Sequence, residues 1–151
     1  MLIENGFTND FPAVAPGGGW IAYQSNRSGR AEIYVERYPQ LGSRQQISNG
    51  GGRLPTWSRD GKELFFSSQN GRQMFAVPVE AGNTFLPGPI QALFEYPMLL
   101  QSAGNRPYDI GLDGRFVIIN DGQAELGAAP SQNLVIVQNW FDELKRLVPA
   151  N

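Results

Sequence analysis

One short phrase occurs three times in this chain: FPAVAPGGGWIAYQS from Phe11, LPTWSRDGKELFFSS from Leu54 and RPYDIGLDGRFVIIN from Arg106. Each reads as a proline-led strand, a glycine turn and an apolar strand. The leading prolines, Pro12, Pro55 and Pro107, stand 43 and 52 residues apart. A repeat of about 40–50 residues has room for four short strands and their turns, the content of one propeller blade. The expected fold is therefore all-β: three four-stranded antiparallel blades, half of a six-bladed β-propeller, with a loop insertion in the longer second interval. Eighteen Gly and eleven Pro suit many short strands joined by tight turns and do not suit a helical bundle.

The strands can be placed by pattern. In the first unit Phe11 to Ala15, Trp20 to Tyr23, Ala31 to Tyr38 and Gln45 to Ser48 read as strands. Ala31 to Tyr38 alternates, with Ile33, Val35 and Arg37 on one side and Glu32, Tyr34 and Glu36 on the other, as a half-buried strand does. The second unit runs Pro55 to Ser58, Leu64 to Phe66, Gln73 to Val79 and Ile90 to Phe94. The third runs Tyr108 to Gly111, Phe116 to Ile119 and Leu134 to Val137, after a polar loop from Asn120 to Gln132. Asp60-Gly61 and Asp113-Gly114 are repeat turns, because an Asp-Gly pair tolerates the positive φ that a hairpin needs. Trp140 to Val148 has helical spacing of Trp140, Phe141, Leu144, Leu147 and Val148, and Pro149 ends it. The whole reads as one unit over residues 1–151: blade 1 about 10–49, blade 2 about 50–96, blade 3 about 104–139, and a capping α-helix at 140–148.

Composition excludes several chemistries. There is no Cys and no His, which removes the Ser/His and Cys/His nucleophile pairs, the thiolate zinc site and the commonest general base. Twelve Lys plus Arg against 14 Asp plus Glu give a net charge of −2, with the arginines scattered singly. No basic stripe exists for nucleic acid. No apolar run of about 18 residues is long enough to cross a membrane, and MLIENGFTND lacks the cationic and apolar parts of an export signal. The expectation is a cytoplasmic location for the chain as given, and an extracytoplasmic one if it is a piece of a receptor-type protein.

The three phrases resemble the TolB-type β-propeller repeat, whose signature is a Pro, an aromatic-Ser-Pro-Asp-Gly turn and an aliphatic-aromatic strand. Pro55, Trp57, Ser58, Asp60, Gly61 and Lys62 match it best, and Arg59 and Leu112 replace the signature Pro. Ala22 to Val35 and Asn139 to Ala150 are similar to the last blades and tail of propellers appended to bacterial serine/threonine protein kinases. No kinase motif is present. The resemblance therefore implies the fold and a non-catalytic role.

Candidate sites weigh toward structure. Trp20, Trp57 and Trp140 could be ligand platforms but are expected in the core, and Tyr23, Tyr34 and Tyr108 likewise. Asp109, Asp113, Asp121 and Glu125 lie close in sequence, yet their spacing fits no compact cation loop. No catalytic residue, metal or cofactor is expected. Gly17 to Gly19 and Gly50 to Gly52 read as a hairpin turn and a linker, and Asn26-Arg27-Ser28 as a plain turn.

Three blades cannot close a ring, and open blade faces would stay wet. The expected partner is a second copy, giving a six-bladed ring with two-fold symmetry. Leu2, Ile3 and Glu4 would pair with the partner's Leu134, Val135, Ile136 and Val137, covering an open edge. The expected function is a scaffold or binding module for a protein or small ligand on a propeller face. The rival readings are a propeller hydrolase or lyase with carboxylates and Arg in its channel, and a functionless fragment of a larger receptor kinase.

Overall fold

The computed structural model describes residues 6–96, 106–120 and 133–137. Those residues form twelve strands in three antiparallel sheets and no helix. The expected helix at 140–148, the loop at 121–132 and the strand at residues 2–4 lie outside the described residues.

Sheet I contains β1 (Asn9–Val14), β2 (Trp20–Ser25), β3 (Glu32–Arg37) and β4 (Gln45–Gln46), side by side in chain order. Sheet II contains β5 (Arg53–Trp57), β6 (Glu63–Ser67), β7 (Gln73–Ala81), β8 (Phe85–Pro87) and β9 (Gln91–Glu95). Sheet III contains β10 (Tyr108–Ile110), β11 (Phe116–Asn120) and β12 (Asn133–Val137).

The second unit holds one strand more than its pattern predicts. After Ala81 the chain turns through Gly82 to Thr84 and returns as β8, which pairs with the far end of β7 (Ala81↔Phe85, Val79↔Pro87). β9 then takes the near end (Gln73↔Glu95, Ala76↔Gln91). A three-residue strand ending in Pro is too short to show a period, so only pairing reveals it.

The repeat phrase has a backbone counterpart. Phe11 and Leu54, the residues before the signature prolines, both have positive φ, 51° and 59°. Both sit at register shifts, between Asp10 and Ala13 in one copy and between Arg53 and Thr56 in the other. A bulge leaves a residue outside the ladder, and a proline there has no N–H to orphan. The proline that marks the repeat in sequence thus marks a bend in the first strands of units one and two.

The core lies between the sheets. Between sheets I and II, Trp20, Ala22, Ile33 and Val35 meet Trp57, Leu64, Phe66, Val77 and Phe85. Between sheets II and III, Phe65, Met74, Ala76 and Leu93 meet Tyr108, Ile110, Phe116 and Ile118. Successive residues of a strand point to opposite faces, so β6 sends Leu64 and Phe66 one way and Phe65 the other. That is why its sequence is an apolar run: both faces are covered.

β3 corrects an expectation. Its polar side is buried as well: Glu32 is 1% exposed, Tyr34 4% and Glu36 3%. Alternation of residue type describes chemistry along a strand, but it does not say whether the polar face is wet. Here the carboxylates are compensated within the fold. Glu32 takes bonds from Arg30 Nε (2.7 Å), the Gly51 N–H (3.0 Å) and the Ser48 hydroxyl.

Candidate functional site

The three repeat turns share one architecture. In the second, the Ser58 N–H donates to Glu63 O at 2.9 Å and the Gly61 N–H to Ser58 O at 3.0 Å. Ser58 Oγ donates to Asp60 Oδ1 at 2.7 Å and the Lys62 N–H reaches the same oxygen at 3.1 Å. The Ser58 hydroxyl, then the Lys62 N–H, hold the Asp60 carboxyl below the usual carboxylate range. In the first turn the Ala15 N–H donates to Trp20 O and the Gly18 N–H to Ala15 O, both at 2.8 Å. In the third, the Arg115 N–H donates to Asp113 Oδ1 at 3.1 Å, and Gly111 bonds Arg115 O, closing a loop one residue shorter. The Arg115 N–H and then its side chain hold Asp113 low. Gly18, Gly61 and Gly114 occupy equivalent positions with φ of 73°, 71° and 76°. Asp60 and Gly61 lie within the second turn and Asp113 and Gly114 within the third, each aspartate accepting the N–H two residues on.

The turns line up along one rim of the molecule. Gly61 lies against Pro16 of the first turn, and Arg59 Nη2 donates to Ile110 O beside the third at 3.3 Å. Among the clefts that open on this rim, two have opposite chemistry. Between the second and third turns, a cleft of about 310 Å³ is lined by Asp60, Glu63, Asp113, Arg59 and the 89% exposed Leu112. Burial, then the neighbouring Asp60 charge, pushes the Glu63 carboxyl up. Between the β3–β4 connection and the β7–β8 turn, a larger cleft of about 650 Å³ is lined by Trp20, Arg37, Arg44, Gln45, Asn83 and Phe85.

The larger cleft is held by directional bonds. The Arg37 guanidinium lies 4.9 Å from the Trp20 ring centroid, and its Nη2 donates to Asn83 O at 2.9 Å. Trp20 Nε1 donates to Gly82 O at 3.1 Å, so one turn is gripped by two side chains of sheet I. On the opposite face of sheet I, Arg44 donates through Nε to the Tyr23 hydroxyl (2.8 Å) and pairs through Nη2 with Glu36 Oε1 (2.9 Å). Tyr23 in turn donates to Glu36 Oε2 at 2.9 Å. Burial pushes Tyr23 up to about 12, while the Arg44 bond opposes the rise and Glu36 adds to it.

Other predicted residues fall as follows. Trp20 and Trp57 are core residues, 4% and 6% exposed, and Tyr23, Tyr34 and Tyr108 are buried too. Asp109 is exposed and accepts the Ile110 N–H, away from any cation loop. Trp140, Asp121 and Glu125 lie outside the described residues. Gly51 and Gly52 are more than linker: an ideal Cβ on Gly52 would stand 2.5 Å from Ser48 Oγ and 2.8 Å from Ile33 Cγ1. Leu134–Val137 form β12, in register with Ile119, Ile118, Val117 and Phe116 of β11. Their proposed partners Leu2, Ile3 and Glu4 lie outside the described residues. Among the described residues no group of Asp and Glu is placed to hold a metal ion.

Arg37, Glu36 and Arg44 escape a reading of the sequence alone. The usable signal is the repeat itself: in the register of the hairpins, Glu36 stands opposite Ile21 where Val77 stands opposite Leu64. A carboxylate at a position that is apolar in the next unit marks a face with its own chemistry.

No family model matches the chain, and no curated protein does. A solved structure does: TolB from Acinetobacter baumannii, at 18% identity and a TM-score of 0.57, over 88% of this chain. The chain has a TolB-like β-propeller fold. It spans 30% of the length of the TolB chain that it matches. At that identity the likeness is one of fold.

Proposed function

We propose that the chain is a non-catalytic binding or scaffold module that completes its propeller with a second copy, three blades from each making six. The observation that carries this reading is the difference between sheets II and III. Sheet II is packed on both faces. Sheet III uses Tyr108, Ile110, Phe116 and Ile118 against sheet II, and no described sheet covers its other face, where Val117 is half-buried and Ile119 is 42% exposed. At the opposite end of the stack, Phe7 and Val14 are 44% and 47% exposed. Exposed apolar residues at each end of a stack offer a head-to-tail contact, and a two-fold axis repeats that contact once and closes the ring. In this reading residues 2–5 run along the partner's β12, the last strand of sheet III. The lack of His and Cys and the resemblance to propellers appended to kinases support binding over chemistry.

Light scattering on the full chain tests it. The expected mass is about twice the 16.6 kDa of one chain, and Ile119→Asp should return the mass of one chain with the β-sheet circular dichroism intact. A wild-type mass of one chain at all concentrations would overturn the pairing.

A further inference from the structure

The geometry points to the larger rim cleft, between the β3–β4 connection and the β7–β8 turn, as a binding site for the carboxylate or phosphate group of an anionic ligand. Its volume of about 650 Å³ falls within the roughly 300–1,000 Å³ of small-ligand sites. Arg37 and Arg44 line it and no carboxylate does, and of the two only Arg44 is ion-paired among the described residues, with Glu36, in a chain whose net charge is −2. The positive character therefore belongs to this place and not to the protein at large.

Arg37 is the anchor. It has no carboxylate partner, and stacking on Trp20 together with the bond to Asn83 O fixes the plane of its guanidinium. Those contacts use one face and one N–H, leaving Nε and Nη1 without a hydrogen-bond partner. A planar fork fixed in advance loses little freedom when it takes an oxyanion. Arg44 also borders the cleft, but its Nη2 and Nε are taken by Glu36 and Tyr23 on the opposite face of sheet I, so Arg37 is the donor that faces the ligand. Gln45 and Thr84 add neutral polar groups at the mouth, and Phe85 and Leu86 give apolar wall for the body of the ligand.

The bland alternative is that Arg37 only clamps the β7–β8 turn. A clamp, however, is indifferent to a charge placed across the cleft, and a binding site is not. The inference does not depend on self-association, since every residue named belongs to one chain.

Titration of the 15N-labelled full chain with inorganic phosphate, citrate and the peptide N-acetyl-Glu-Leu-Glu, read at the Trp20 indole and Asn83 amide signals, tests it. Saturable shifts are expected with at least one probe, with affinity at least ten-fold weaker in Arg37→Gln and in Thr84→Glu. Thr84 is exposed and makes no side-chain bond in the fold, so Thr84→Glu adds charge without breaking the turn. Saturation by phosphate or citrate identifies a small anion as sufficient. Saturation by the peptide alone identifies a polypeptide carboxylate. Either supports the site, whereas no saturable shift with any probe, or an affinity unchanged in Thr84→Glu, overturns it.

Discussion

The two interfaces between sheets are held differently. Sheets I and II meet on indoles whose N–H groups cross the gap, Trp57 Nε1 to Ala13 O at 2.9 Å and Trp20 Nε1 to Gly82 O at 3.1 Å, with Arg37 adding a third bond. Sheets II and III meet on phenyl rings, with Phe116 set edge-on to Phe65 at 5.1 Å and to Phe94 at 5.3 Å. The described cross-sheet bonds there are the Tyr108 hydroxyl to Leu54 O and Arg59 Nη2 to Ile110 O. Apolar burial supplies most of the free energy at either place, but it is non-directional. Indole bonds fix where one sheet sits on the next, while ring packing mainly fixes how well the gap is filled. The clefts above the two interfaces differ in the same way, one cationic and clamped, the other acidic and apolar.

The largest test of this contrast is a matched truncation. Phe116→Ala should cost about 4 kcal/mol in urea unfolding and Phe85→Ala about 3 kcal/mol, because Phe116 packs against three rings and Phe85 against two indoles that are bonded elsewhere. Equal costs would mean that the indole bonds give sheets I and II no hold of their own. Next in size is Arg44→Ala, expected to cost about 2 kcal/mol by leaving Glu36 buried beside a neutral Tyr23. Glu36→Leu combined with Arg44→Leu should recover most of that loss, since the equivalent position in sheet II carries Val77. If the double variant is as unstable as the single one, the polar face of sheet I is not an exchangeable counterpart of the apolar ones.

A smaller effect appears in alkali, and it involves one tyrosine from each region. Burial pushes Tyr23 and Tyr108 up to about 12. A raised pKa means that the fold holds the proton more tightly than the unfolded chain does. Their contribution is therefore full below about 10 and is lost as the pH climbs toward about 12. Tyr23→Phe and Tyr108→Phe should each flatten this alkaline loss of stability; an unchanged profile in both would show that other groups cause it. The smallest expected change is at the acidic cleft. Because burial and Asp60 raise Glu63, its ionised form opposes folding, and Glu63→Gln should raise Tm by about 1 °C at pH 7 and less in acid, where the wild-type carboxyl is already neutral.

Much of this fold was legible because it is local chemistry. The Ser58-to-Glu63 turn is specified by a hydroxyl, a carboxylate and a glycine within six residues, so the phrase predicts its own geometry. The run Leu64-Phe65-Phe66 announces a strand covered on both faces. Other features are invisible at that range. Glu32 and Glu36 look solvent-facing from alternation, since the pattern of one strand carries no information about what lies over it. β8 is three residues long and exists only by pairing with Ala81, Glu80 and Val79. The cationic cleft joins Arg37 to Asn83, 46 residues apart, and in the sequence Arg37 is one of several isolated arginines.

The repeat, its period, the position of its turns and the all-β class follow from residue order alone, because turn and strand are each set by a few adjacent residues. The tertiary structure decided which faces are buried, which polar groups are paired behind them, and where two clefts of opposite charge open along one rim. Those properties depend on the sheet that packs alongside, and that neighbour comes from a distant part of the chain.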